Sequence, residues 1–384
     1  MFPKIQLGLL SLLSIFYVVS GSRAQSPQDQ IAPALNAIFS PLANASSPGL
    51  AVLVRKDGRT VFEHGYGARE LRSFAKIDSQ TNFRLASCSK QFTAMSIMLL
   101  VRDGKLRYAD KLTDVFPDFP AYGKAISIRN LLNHTSGLPD YEDLMAAAEK
   151  RKGAAIWTPT HQIQDAEVLN LLKQETAGKF APGTRWSYSN SGYVVLGLAV
   201  AKISGKPFPQ FLRERIFAPL GMSQTLAYEK GKSEISQRAY GHSKDGKAWK
   251  EADQSSTSAT LGDGGIYSSL EDLAKWDEAL AQRTLLSENE MRPALIPVKL
   301  ADSSRPMWPA DSDRPAGTPV AYGFGWFLDP YHEHQRMWHY GDTMGFHSYI
   351  LRFPADHLTV IILCNRTDLD PESLALQGAD EYLH

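Results

Sequence analysis

Apolar residues along this chain follow two rhythms, and the change from one to the other outlines the fold. Near the start, Pro48-Gly49 opens the apolar run Leu50 to Arg55, Lys56-Asp57-Gly58-Arg59 interrupts it, and Thr60 to Tyr66 resumes it. Two short apolar runs about a polar, glycine-containing break predict strand, turn, strand. An amphipathic stretch over Asp29 to Leu42 predicts a helix ahead of that hairpin. Towards the other end, strands are predicted over Tyr322 to Leu328, Gln335 to His339, Phe346 to Phe353 and Leu358 to Cys364. Pro330, Gly341 to Gly345 and Pro354-Ala355-Asp356 separate them, and a last helix follows Pro371.

Between these ends the period becomes helical. Predicted helices run over Ser89 to Arg102, stopped by Gly104, then Ile128 to Leu132, Ile163 to Glu175, Gly192 to Ile203 before Gly205, Phe208 to Phe217, and Leu270 to Ala281. The expected class is α+β: one antiparallel sheet built from both chain ends, flanked by helices, with a mostly helical subdomain inserted. In residue terms the α/β part takes 25–85 and 305–384, and the helical part 86–304. Polar Thr225 to Gln254, and Ala301 to Thr318 with its Pro, Asp and Ser, are expected as surface loops.

The first 24 residues change the picture of where the protein works. Lys4 precedes an apolar stretch, Ile5 to Val19, and Ser22-Arg23-Ala24 is a small-x-small cleavage pattern, together the mark of an export signal. The stretch is shorter than the roughly 20 residues that span a bilayer, so the expected product is periplasmic or secreted and carries no stable membrane span. The whole chain balances 41 Lys and Arg against 41 Asp and Glu. That balance, without long basic runs, argues against nucleic-acid or anionic-membrane partners and leaves a small-molecule or peptide substrate. The two cysteines, Cys88 and Cys364, are read as small buried side chains rather than a disulfide.

Three motifs carry candidate chemistry. In Ser87-Cys88-Ser89-Lys90 the i, i+3 spacing at the start of an apolar helix lets the Ser87 hydroxyl and the Lys90 amine meet on one face. Burial disfavours a protonated lysine, so Lys90 can take the serine proton. A second Ser-x-x-Lys, Ser73 to Lys76, lies in a charged stretch with no helix behind it and is read as solvated loop. In Tyr188-Ser189-Asn190, alternate residues face one way; a phenol whose pKa is lowered by a neighbouring ammonium can shuttle a proton, and an Asn amide can hold both lysine and substrate. In His339-Tyr340-Gly341-Asp342, glycine would let a substrate lie along a strand edge, and the Asp342 N–H would join that of Ser87 as an oxyanion hole. Gly-x-Ser-x-Gly and His-Glu-x-x-His do not occur in the sequence. His332-Glu333-His334 is read as surface, so no metal is expected.

Taken together and in this order, the motifs make the chain resemble the serine β-lactamase and penicillin-binding protein superfamily. Within it the resemblance is to the group holding class C β-lactamases, D,D-carboxypeptidases, D-aminopeptidases and related esterases. It extends to Leu131 to Pro139, Pro219 to Met222 and Gly262 to Leu273. The resemblance implies a β-lactamase/transpeptidase-like fold and Ser87 as the acylated nucleophile. It further implies Lys90 and Tyr188 as coupled base and acid, Asn190, His339, Gly341 and Asp342 at the substrate, and no cofactor. Where penicillin-processing members carry Lys-Thr-Gly, this chain has His339-Tyr340-Gly341, and a mostly neutral histidine turns the expected substrate towards D-amino-acid peptides, peptidoglycan-like peptides or small esters. The alternatives are a class C-like β-lactamase and a penicillin-binding sensor that does not turn over.

Overall fold

The computed structural model describes residue 1, residues 27–310 and residues 314–383; the expected export signal lies outside the described residues. Five strands form an antiparallel sheet in the spatial order Met337–Thr343, Phe346–Phe353, Leu358–Cys364, Leu50–Lys56, Arg59–Tyr66. The chain ends meet at its centre, where Leu50 pairs with Cys364 and Lys56 with Leu358. Side chains alternate between faces, so a strand covered on both sides must be apolar throughout. Leu50, Val52 and Val54 accordingly enter one core with Leu35 and Phe39, beneath helices Pro27–Phe39 and Pro371–Asp380. Ala51 and Leu53 enter a second core with Phe92 and Trp276, beneath helices Lys90–Arg102 and Leu270–Gln282. Ile362 and Ile361 divide in the same way.

The predicted helices stand close to their expected bounds, now Ile128–Leu132, Asp165–Gln174, Asn190–Ser204 and Leu270–Gln282. Phe208–Leu212 continues into a wider π turn over Arg213–Phe217. Cys88 and Cys364 are free and buried, as expected.

Three expectations need correction. Tyr322 to Leu328 is no strand, because Gly323 and Gly325 turn it where a side chain has no room. A Cβ on Gly323 would lie 1.9 Å from the Ala294 carbonyl, and Gly325, at φ +76°, would place one 2.9 Å from the Lys90 carbonyl. What remains is two isolated bridges, Tyr322 with Phe327 inside the segment and Phe327 exchanging backbone hydrogen bonds with Trp338. The loop expected over Thr225 to Gln254 contains a hairpin, His242–Asp245 with Ala248–Glu251, whose charged side chains mask its alternation. In the second expected loop Trp308 is buried against Trp186 and Phe327.

One helix, Tyr141–Lys152, was not anticipated from its weak apolar period. Its caps explain it: the Asp140 side chain accepts the Glu142 N–H, acidic residues occupy the first turn, Lys150 to Lys152 the last, and Gly153 takes a left-handed conformation. Among the described residues no helix is long and apolar enough to cross a membrane.

Candidate active site

The site is assembled where the turn Ala86–Ser89 lies against the open edge of the sheet. Two contacts hold the turn and a third holds the helix behind it: the Cys88 thiol donates to the His339 carbonyl at 3.3 Å, the Ser89 hydroxyl accepts the Ile266 N–H at 3.1 Å, and the Thr93 hydroxyl donates to the Gly262 carbonyl at 2.6 Å. Burial pushes the Cys88 thiol up, so it stays protonated and serves as packing. Ala86 sits at φ 48°, a left-handed conformation that is sparsely populated for a residue with a Cβ. From Thr81 to Leu100 Ser87 alone reaches solvent; every other residue of that run is buried. The apolar helix behind it buries Lys90 completely.

The Lys90 amine lies 2.8 Å from Ser87 Oγ, 2.9 Å from Asn190 Oδ1 and 2.9 Å from the Asp263 carbonyl. An ammonium donates to all three. A neutral amine donates to Asn190 and Asp263 and turns its lone pair to the Ser87 hydroxyl, so both protonation states are satisfied in one geometry. Burial lowers the Lys90 pKa to about 8, against the opposing pull of Asp263 and weaker ones from Asp140 and Glu142.

Tyr188 lies over the amine, its ring centre 4.9 Å from Nζ. The expectation of a lowered phenol pKa is corrected. Burial drives it well above the ordinary value, with Ser87 pulling the other way as a hydrogen-bonding neighbour. Between the two groups it is Lys90 that desolvation moves towards neutral pH, and Tyr188 is a neutral phenol. Its hydroxyl is buried and makes no well-aligned hydrogen bond among the described residues. The cap of helix Asn190–Ser204 is Ser189, which accepts the Gly192 N–H at 3.1 Å. Asn190 is thereby released from capping and turns to Lys90.

The third motif forms the edge strand. The backbone N–H and carbonyl of Trp338 bond outward to Phe327, and alternation carries the N–H groups of Tyr340 and Asp342 to that same edge. The Asp342 side chain is exposed and pairs with His347 at 3.1 Å, raising the His347 pKa. Gly341 is needed for a reason other than room for substrate: a Cβ there would stand 2.1 Å from the Leu85 carbonyl and 3.3 Å from Ala86 Cβ. His339 is fully buried, with Nε2 3.2 Å from the Tyr322 hydroxyl and Nδ1 2.6 Å from the Tyr340 carbonyl. These partners place its proton on Nδ1. Burial, then Lys90, lowers its pKa to about 3, so the ring is neutral. The His339 side chain, expected at the substrate, packs its ring nitrogens against the Tyr322 hydroxyl and the Tyr340 carbonyl.

Ser87, Lys90, Tyr188 and Asn190 thus converge, and Gly341 and Asp342 form the facing edge. Sequence reasoning missed two contributors. Asp263 acts through its main-chain carbonyl, which leaves no side-chain signature, and His134 lies in the noted stretch Leu131 to Pro139 without any role assigned to it. Among the described residues no group of His, Cys, Asp and Glu could hold a metal ion. The arrangement suits acyl transfer: a nucleophile, a base at hydrogen-bond distance, a second proton carrier, and N–H groups along the facing strand edge.

Comparison with known proteins places the chain in a family. The sequence model of the Beta-lactamase family matches residues 35–382. A penicillin-binding protein of Bacillus subtilis (strain 168) is 32% identical over 363 residues, covering 91% of this chain and 75% of its own. The D-aminopeptidase of Brucella canis is 28% identical over 73% of this chain, and the match spans 49% of that protein. Among solved structures, D-amino acid amidase from Ochrobactrum anthropi SV3 superposes with a TM-score of 0.70 at 26% identity, over 90% of this chain and 97% of its own.

Proposed function

This chain belongs to the Beta-lactamase family of serine hydrolases, and from that premise we propose that it cleaves amides of D-configured amino acids, as free amides or short peptides, through an acyl-enzyme on Ser87. The observation that carries the reading is the Lys90 amine, buried and 2.8 Å from Ser87 Oγ. As Ser87 Oγ attacks the substrate carbonyl, its proton passes to Lys90, and the oxyanion is held by the N–H groups of Ser87 and Asp342. Tyr188 gives its proton to the leaving nitrogen as the C–N bond breaks and regains one from Lys90. Water then attacks the ester, yields a proton to the Lys90–Tyr188 pair, and Ser87 Oγ leaves with a proton returned to it.

Two features support the substrate class. Where a lysine would hold a substrate carboxylate, His339 is neutral, and the carboxylates of Asp263, Asp140 and Glu142 act on Lys90 from nearby. Such a field suits the ammonium of an aminoacyl substrate better than a carboxylate. The names of the Brucella and Ochrobactrum relatives point the same way. The pattern of Lys4, Ile5 to Val19 and Ala24 supports action outside the cytoplasm.

Assay of the full chain on D-phenylalaninamide, its L-isomer, p-nitrophenyl acetate and nitrocefin tests this. The D-amide should be turned over at least tenfold faster than the L-amide, and faster than nitrocefin. A preference for nitrocefin would instead favour the β-lactamase alternative. The pH profile tests the base. Only neutral Lys90 accepts the serine proton, so on p-nitrophenyl acetate, which has no amine of its own to titrate, kcat/KM should rise about tenfold per unit below the Lys90 pKa of about 8 and level above it. A flat profile from pH 6 to 9 would exclude Lys90 as the base.

A further inference from the structure

The segment bearing Tyr188 is extended backbone between Trp186 and the helix that begins at Asn190, a weak support for a proton carrier that must point at one atom. His134 supplies what the segment lacks. Its carbonyl accepts the Ser187 N–H at 3.0 Å, and its ring Nδ1 accepts the Ser189 N–H at 3.1 Å, so the residues on both sides of Tyr188 are tied to one histidine. Between these ties the imidazole lies against the Tyr188 ring, centroids 4.4 Å apart, with Tyr322 at 4.6 Å on the imidazole as well. Tyr322 in turn reaches His339 through its hydroxyl, which closes a support around Tyr188 from the helical side to the edge strand.

Three further observations mark His134 as more than filling. It is fully buried, yet among the described residues its Nε2 has no hydrogen-bond partner, an arrangement that costs stability. Its backbone is left-handed, φ 63°, which a histidine tolerates better than most residues. Burial and the nearby Lys90 keep it neutral, and the bond from Ser189 fixes the proton on Nε2, so Nδ1 is held as an acceptor. A leucine or phenylalanine would fill the same volume without the unpaired N–H, but neither offers an acceptor for Ser189 together with a flat face for Tyr188.

We infer that His134 is the positioning residue for Tyr188: the ties to Ser187 and Ser189 and the ring contact hold the phenol where it can hand a proton to the leaving nitrogen. The inference rests on the proton-carrying role proposed for Tyr188. It does not concern the attack by Ser87, which Lys90 serves, so the two steps separate by substrate. An amide nitrogen must be protonated to leave; p-nitrophenolate need not be.

The test is a double-mutant cycle on the full chain, with rates counted per Ser87 titrated by a fluorophosphonate so that misfolded molecules drop out. Asn replaces His134, because its amide oxygen can still accept from Ser189 and it tolerates the left-handed backbone, while the ring is lost. Tyr188→Phe should lower kcat for D-phenylalaninamide about 100-fold; His134→Asn should lower it about tenfold while its own KM and p-nitrophenyl acetate acylation stay within threefold of wild type. In the Tyr188→Phe background, His134→Asn should have no further effect, because the group it positions is gone. If the two losses multiply, or if the ester suffers as much as the amide, His134 is merely structural and the inference fails. If Tyr188→Phe leaves amide turnover intact, the role of Tyr188 itself fails, which is a different outcome. Should His134→Asn yield no titratable protein, His134→Gly, suited to the same φ, carries the same expectations.

Discussion

Replacing Lys90 with methionine is expected to lower amide turnover about 10⁴-fold, a loss of the size expected for a base that acts in the attack itself. Methionine has nearly the length of lysine and fits an apolar surround, but it has no lone pair for the Ser87 proton. The loss should fall in kcat and in kcat/KM alike, since the interaction is made in the transition state. Stability should respond quite differently. Asn190 Oδ1 and the Asp263 carbonyl each lose a donor, worth about 1–3 kcal/mol if left unsatisfied, while a charge leaves the interior. The pH dependence separates these contributions. Folding lowers the Lys90 pKa from its ordinary 10.5 to about 8. Between these values the unfolded chain binds more protons, and wild-type stability therefore rises with pH. Against wild type, Lys90→Met should lose about 3 kcal/mol of relative stability over that interval. Urea unfolding of both proteins at pH 7.5 and pH 10.5 measures it. An activity loss under tenfold, or a stability difference independent of pH, would contradict the assignment of Lys90 as a buried base.

Gly341→Ala is the second large effect. The added methyl would stand 2.1 Å from the Leu85 carbonyl, a backbone atom two residues before the nucleophile, and it cannot be accommodated by a rotamer change. Either the edge strand or the turn carrying Ser87 must move by more than 1 Å. Shifts of that size at reacting groups cost about 100-fold in rate, and forcing an extra carbon into packed structure costs about 1–3 kcal/mol. Both should appear together, as reduced kcat/KM per titrated Ser87 and a lower urea midpoint. If the variant keeps more than half of wild-type activity, the close approach of Gly341 to the nucleophile turn is wrong.

How far the sequence could be read follows from which interactions leave a mark in it. The central strands are legible because burial on both faces demands apolar runs, as at Val360 to Cys364, and the nucleophile helix because Phe92 to Leu100 is apolar but for the buried Thr93 and Ser96. Tyr322 to Leu328 deceived because its aromatic and apolar residues look like a strand, whereas Gly323 and Gly325 answer to the Ala294 and Lys90 carbonyls, which are distant in sequence. Helix Tyr141–Lys152 was signalled by its caps and terminal charges rather than by period. At the site, spacing brought out Ser87, Lys90, Tyr188 and Asn190. Burial, which no spacing shows, reversed the expected shift at Tyr188 and set the His339 ring against the Tyr322 hydroxyl. Asp263 and His134 escaped for a related reason: much of what they do is done by a carbonyl or by holding a neighbour's N–H.

The central claim is a covalent intermediate on Ser87. Acid-quenched mass spectrometry of the full chain during turnover of a D-phenylalanine ester tests it most directly. The account predicts one adduct with the mass of the acyl group, on the peptide that contains Ser87, and none in Ser87→Ala, which should also be inactive. An adduct on any other residue, or a Ser87→Ala protein that still hydrolyses the substrate, would contradict it.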